Sequence, residues 1–181
     1  MGGFSPNANL ILVGFMGVGK SSLGRQIAEN WSRPFLDTDK IIQEKTSCTI
    51  PEIFAKHGEA FFRRLEQKCV DEWLPKEGAV ISTGGGILTS PGMTEKLQQL
   101  GVVFVLRASP QTIYERTKNC GSRPLLHTGE DAIAHIKKML AEREPAYAKA
   151  GIQIRTDFRP ICELASTVSR IFCRETATNG A

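Results

Sequence analysis

Gly14-Phe15-Met16-Gly17-Val18-Gly19-Lys20-Ser21, residues 14–21 of the chain, fits the pattern G-x-x-x-x-G-K-[ST]. The apolar run Leu10-Ile11-Leu12-Val13 precedes it, and a helical pattern with apolar Leu23 and Ile27 follows. Strand, glycine loop and helix in that order make a phosphate cradle. The glycines let backbone N–H groups curl around an anion, and the helix N-terminus adds favourable partial charge. Lys20 can reach the β- and γ-phosphates of a nucleotide, and the Ser21 hydroxyl can ligate Mg²⁺. A plain glycine-rich turn ahead of a helix is the competing reading; motif and context together disfavour it.

Outward from this loop the chain alternates short β-type runs with helical ones. Strands are predicted at 10–13, 34–36, 79–82, 102–106 and 152–154. Helices are predicted at 21–31, 39–44, 51–56, 58–74, 91–100, 110–118, 130–144 and 160–173, the penultimate one stopping or kinking near Pro145. Such alternation implies an α/β fold, an open parallel sheet covered by helices, with ligands gathered at the carboxyl ends of the strands. At 181 residues the chain is expected to form a single domain, residues 1–181, ending in a polar tail at 174–181. Apolar runs are too short for a membrane span. The net charge of +4 is spread among interleaved acids and bases, without the basic stripe that nucleic-acid binding needs. Five widely spaced cysteines with no C-x-x-C exclude a disulfide framework or zinc site, and residues 1–10 carry neither signal nor transit pattern. A cytoplasmic protein is expected.

The chain lacks the Asn-Lys-x-Asp motif of guanine-specific proteins, and an ordinary Walker B aspartate is missing as well. Asp37-Thr38-Asp39 follows the second predicted strand, and each carboxylate has two readings. Asp37 could orient metal-bound water or cap a helix; Asp39 could orient or deprotonate an attacking hydroxyl. Arg63 and Glu66 lie three apart on a helix with core stripe Phe62, Leu65, Cys69 and Trp73. They form either an exposed ion pair or a held guanidinium. Gly84, Gly85 and Gly86 follow the third strand, where bare backbone allows close approach by a ligand. The polar segment 118–126, with Arg123 ahead of Pro124, is either a surface loop or a lid that closes over phosphates. Arg143, between Glu142 and Glu144, reads locally as a solvated side chain.

Together these residues resemble the shikimate kinase family. The matching segments are GFMGVGKSSLGR at 14–25, DTD at 37–39, FFRRLE at 61–66, the triplet 84–86, RPLL at 123–126 and REPAY at 143–147, over about residues 8–173. The resemblance implies a three-layer P-loop kinase fold with a five-stranded parallel sheet in order 2-3-1-4-5 and a lid at about 117–127. It implies ATP-dependent phosphorylation of the shikimate 3-hydroxyl, with Mg²⁺ as cofactor. Gly14, Gly17, Val18, Gly19, Lys20, Ser21 and Ser22 would hold the ATP phosphates, with Arg116 and Arg159 at the adenine and Arg123 on the lid. Ser22 stands where the family often has Thr. Ser21 and Asp37 would serve the metal, and Asp39 the acceptor hydroxyl. Arg63, Arg143, Gly84, Gly85 and Gly86 would bind shikimate. Catalysis would rest on Asp39, Lys20 and Arg123, in a monomer without nucleic-acid or membrane partners. The rivals are a kinase of the same fold acting on gluconate or a nucleoside monophosphate, and a nucleotide-binding regulatory protein without turnover.

Overall fold

The computed structural model describes residues 5–118 and 132–177. Five strands form one parallel sheet: β1 (Asn9–Gly14), β2 (Phe35–Asp37), β3 (Val80–Ser82), β4 (Gly101–Arg107) and β5 (Ile152–Arg155), in order β2-β3-β1-β4-β5. A central parallel strand is covered on both faces and so reads as an unbroken apolar run. β1 is that strand. All six of its residues are buried, and it pairs with β3 through Leu10–Val80 and with β4 through Leu12–Phe104. This is the sheet of a three-layer P-loop kinase fold, with the predicted strand order.

Seven α-helices are described: α1 (Lys20–Trp31), α2 (Thr38–Thr46), α3 (Ile50–Lys68), α4 (Met93–Leu100), α5 (Pro110–Thr117), α6 (Ala132–Ala150) and α7 (Ile161–Ala177). α1 and α7 pack together on one face of the sheet, α4 and α6 on the other, with α5 against α6. The two helices predicted at 51–56 and 58–74 meet at Gly58, whose φ of 76° and ψ of 177° break the helix within α3; a π-helical turn, Cys69–Trp73, follows α3. The predicted stripe holds: Phe62 and Cys69 are in the core, with Leu65 and Trp73 packed against it, and Glu66, at 0% exposure, turns inward beside them.

Two helix ends differ from expectation. α6 does not stop at Pro145 but runs on to Ala150. Proline removes one backbone donor and crowds the preceding turn, yet Tyr147 and Ala150 beyond it are both buried and fasten the last turn to the sheet. α7 likewise continues to Ala177, so the polar tail begins later than residue 174. Thr176 is buried there and donates its hydroxyl to the Phe172 carbonyl. Among the described residues no helix is long and apolar enough to cross a membrane. The predicted lid lies mostly outside the described residues, and Arg123 with it.

Candidate active site

The phosphate loop leaves β1 at Gly14. Gly14, Gly17 and Gly19 have φ of 138°, 79° and 102°, conformations that side chains rarely adopt. A Cβ at Gly14 would collide with the Leu106 carbonyl, and one at Gly17 would lie 2.6 Å from Thr117 Cγ2. Lys20, the first residue of α1, is 8% exposed, and its Nζ donates to the carbonyls of Gly14 at 2.7 Å and Phe15 at 3.0 Å. The ammonium is thereby held over the loop. Beside the loop opens a cleft of about 380 Å³, lined by residues 17–22 on one side and by Arg116, Thr156 and Arg159 on the other.

Asp37 ends β2 and reaches both neighbours that the sequence offered it. Its Oδ1 accepts the Asp39 N–H at 3.2 Å and caps α2, while Oδ2 accepts the Ser21 hydroxyl at 3.0 Å. Capping and pairing with Ser21 therefore do not compete, because each uses a different oxygen. Ser82 Oγ, at the end of β3, stands 3.3 Å from Ser21 Oγ. One carboxylate and two hydroxyls are hard oxygen donors of the kind Mg²⁺ takes alongside phosphate oxygens and water. The residues present fit that ion.

Around the glycine triplet the chain gathers groups from well-separated parts of the sequence. Gly84 N–H donates to Thr38 Oγ1 at 3.0 Å. A Cβ at Gly84 would lie 2.7 Å from Asp39 Oδ1 and 2.8 Å from Glu66 Oε1, so both carboxylates close upon this bare backbone. A Cβ at Gly86 would meet the Arg63 guanidinium at 2.7 Å. Arg63 Nη1 bonds Glu66 Oε2 at 2.6 Å, and Nη2 bonds Glu59 Oε1 at 2.8 Å. With Glu66 fully buried, this is not an exposed surface pair. Burial works against the charge of Arg63, and its bonds to the two glutamates outweigh that and hold its pKa above the ordinary value. Arg143 is half-buried rather than solvated: its Nη1 donates to the Gly85 carbonyl at 2.9 Å and its guanidinium lies 5.1 Å from the Phe15 ring centroid. Two guanidinium groups thus flank the triplet, with Asp39 beside it.

Several contributors escaped the sequence reading. Tyr147 donates its hydroxyl to the same Gly85 carbonyl at 3.1 Å, and burial pushes its pKa up. It belongs to the quoted REPAY segment, which carried the signal. Phe15 under Arg143, Thr38 under Gly84 and Glu59 beside Arg63 left none, since only folding brings them to their partners. At the far end of the cleft, Arg116 bonds the Thr156 carbonyl at 2.8 Å, while Arg159 is paired with Glu163 at 2.8 Å.

Fold and site together define a P-loop kinase. The chain belongs to the shikimate kinase family, whose model matches residues 16–172. It is 38% identical over 172 residues to the shikimate kinase of Thermodesulfovibrio yellowstonii, covering 95% of this chain and 98% of that one. It is 39% identical over 177 residues to that of Thermus thermophilus, covering 97% and 96%. Shikimate kinase from Acinetobacter baumannii in complex with shikimate superposes with a TM-score of 0.87 at 35% identity, covering 94% of this chain and 96% of that chain. The protein is accordingly an ATP-dependent phosphotransferase.

Proposed function

We propose that the protein transfers the γ-phosphoryl group of ATP to the 3-hydroxyl of shikimate, yielding shikimate 3-phosphate and ADP. The observation that carries this reading is the pair Arg63 and Arg143 flanking the glycine triplet beside Asp39, next to the Lys20 loop. A small anionic polyol needs planar guanidinium donors for its carboxylate and an acceptor for its hydroxyls. Arg63, braced by Glu66, and Arg143, braced on Gly85, supply the first; Asp39 supplies the second.

In this reading the loop amides of Gly14, Gly17, Val18, Gly19, Lys20, Ser21 and Ser22 cradle the phosphates, and Lys20 neutralises their charge. Arg116 and Arg159 hold the base. Ser21 and Asp37, with Ser82 beside them, would hold Mg²⁺, which supplies charge neutralisation and orients the phosphates when bound. Asp39 accepts the hydroxyl hydrogen and aims the oxygen at phosphorus. Positioning and electrostatics carry most of such catalysis. By the family resemblance Arg123 adds charge from the lid, and the whole chain works as one cytoplasmic catalytic domain, a monomer.

The test is an acceptor panel with MgATP, reading ADP release. Shikimate is expected to turn over, with gluconate and nucleoside monophosphates at background, and Asp39→Asn and Lys20→Ala each to reduce kcat/KM at least about 100-fold. Preference for gluconate or a nucleotide would decide for a sister kinase. Tight binding of ATP and shikimate without turnover would make the protein regulatory and overturn the reading.

A further inference from the structure

Thr156 follows β5 and is 2% exposed. It touches three separate parts of the cleft. Its N–H donates to the Arg107 carbonyl, at the end of β4, at 2.8 Å. Its Oγ1 lies 3.0 Å from the Val18 carbonyl and 3.2 Å from that of Arg107. A hydroxyl has one hydrogen to give. The Val18 carbonyl is the nearer acceptor, and the hydrogen is assigned to it. As acceptor, the same oxygen takes Arg116 Nη1 at 3.1 Å, and the Thr156 carbonyl takes Nη2 at 2.8 Å. Arg116 Nη1 is also 3.3 Å from the Val18 carbonyl, closing the network.

Val18 sits between Gly17 and Gly19, two of the three positive-φ glycines of the loop. The Val18 carbonyl and the Gly19 N–H share one peptide plane and point in opposite directions across it. A bond that pins the carbonyl on one side therefore aims the Gly19 N–H on the other. The flanking glycines leave that plane free to turn, and the side chains that bond its carbonyl are Thr156 and Arg116. We propose that Thr156 is a positioning residue for ATP. Its hydroxyl locks the Val18–Gly19 peptide and Arg116 in one register, so the grips on the phosphates and on the base keep a fixed separation. The role needs a group that donates and accepts at once, which valine, its isostere, cannot do.

The inference rests on the nucleotide reading of this cleft, and the experiment separates the two. Steady-state kinetics are measured for Thr156→Val, Thr156→Ser and Arg116→Ala, with melting temperatures alongside. Thr156→Val is expected to raise the KM for ATP about tenfold, the scale of one lost hydrogen bond in a buried network. The KM for shikimate should stay unchanged, and Thr156→Ser should restore the KM for ATP to within about twofold. Thr156→Ala, which removes the hydroxyl without setting a methyl against Val18, gives the same readout if the valine variant does not fold. A lowered melting temperature with unchanged KM for ATP would reduce Thr156 to a structural residue and overturn the proposal, provided Arg116→Ala raises that KM. If Arg116→Ala leaves it unchanged too, the reading of Arg116 as a grip on the base fails instead.

Discussion

Glu66 is buried beneath the triplet because one of its oxygens meets Arg63 at 2.6 Å, while the other, Oε1, has no hydrogen-bond partner among the described residues. Burial pushes its carboxyl above the ordinary glutamate range; the bond and charge of Arg63 pull it back only partly, and the charges of Asp39 and Glu59 add to the rise. The folded protein therefore keeps this proton at a pH where the unfolded chain has lost it. The contribution of Glu66 to stability accordingly falls as pH rises from the ordinary value through the raised one. Glu66→Gln is expected to flatten that limb of the stability–pH curve, measured by urea unfolding across pH. The same variant should raise the KM for shikimate about tenfold by weakening the brace on Arg63, with the KM for ATP unmoved. An unchanged shikimate KM would mean that Glu59 alone suffices. Cys69 shares this neighbourhood: burial, then the charges of Asp39 and Glu66, push its thiol up to about 12, so it is inert packing, as the helical spacing suggested.

Elements carry the site through their ends. α6 brings Arg143 and Tyr147 to one carbonyl because they lie four apart on one helix face, and the helix had to persist past Pro145 for that. α5 carries Arg116 in its last turn and is capped by Ser109, whose hydroxyl accepts the Thr112 N–H at 3.1 Å. Asp157 ties the cap to the loop after β5 by accepting the Ser109 N–H and the Thr112 hydroxyl, each at 2.8 Å. Ser109→Ala should cost about 1 kcal/mol, read as a lower urea midpoint with an unchanged slope. A neutral result would show that Asp157 caps α5 without the serine.

On the proposed reading the whole molecule divides its ligands between two places: the cleft of residues 17–22 for the nucleotide, and α2, α3 and α6 around the triplet for the acceptor. Ligands that bind only the folded state stabilise it. At about 100 times Kd the gain is about 2.7 kcal/mol, roughly 5–10 °C in Tm for a domain of this size. MgADP and shikimate should each raise Tm on that scale. Lys20→Ala should abolish the first shift and spare the second, and Arg63→Ala the reverse. Loss of both shifts in either variant would contradict two separable subsites.

Much of this was legible before folding was considered. The phosphate loop is announced by local sequence, since GFMGVGKS stands between its own strand and helix. The parallel sheet follows from apolar runs alternating with helical ones, and the family motifs named Asp39, Arg63 and Arg143. Tertiary structure decided what those residues touch. That Glu66 is buried, that Arg143 is no solvated side chain, that Asp37 caps and pairs at once, and that Thr156 joins loop to arginine all depend on contacts up to 138 residues apart. Periodicity reports which face of a helix is apolar. It cannot report that a charged residue turns inward because a guanidinium and a bare glycine backbone wait for it there.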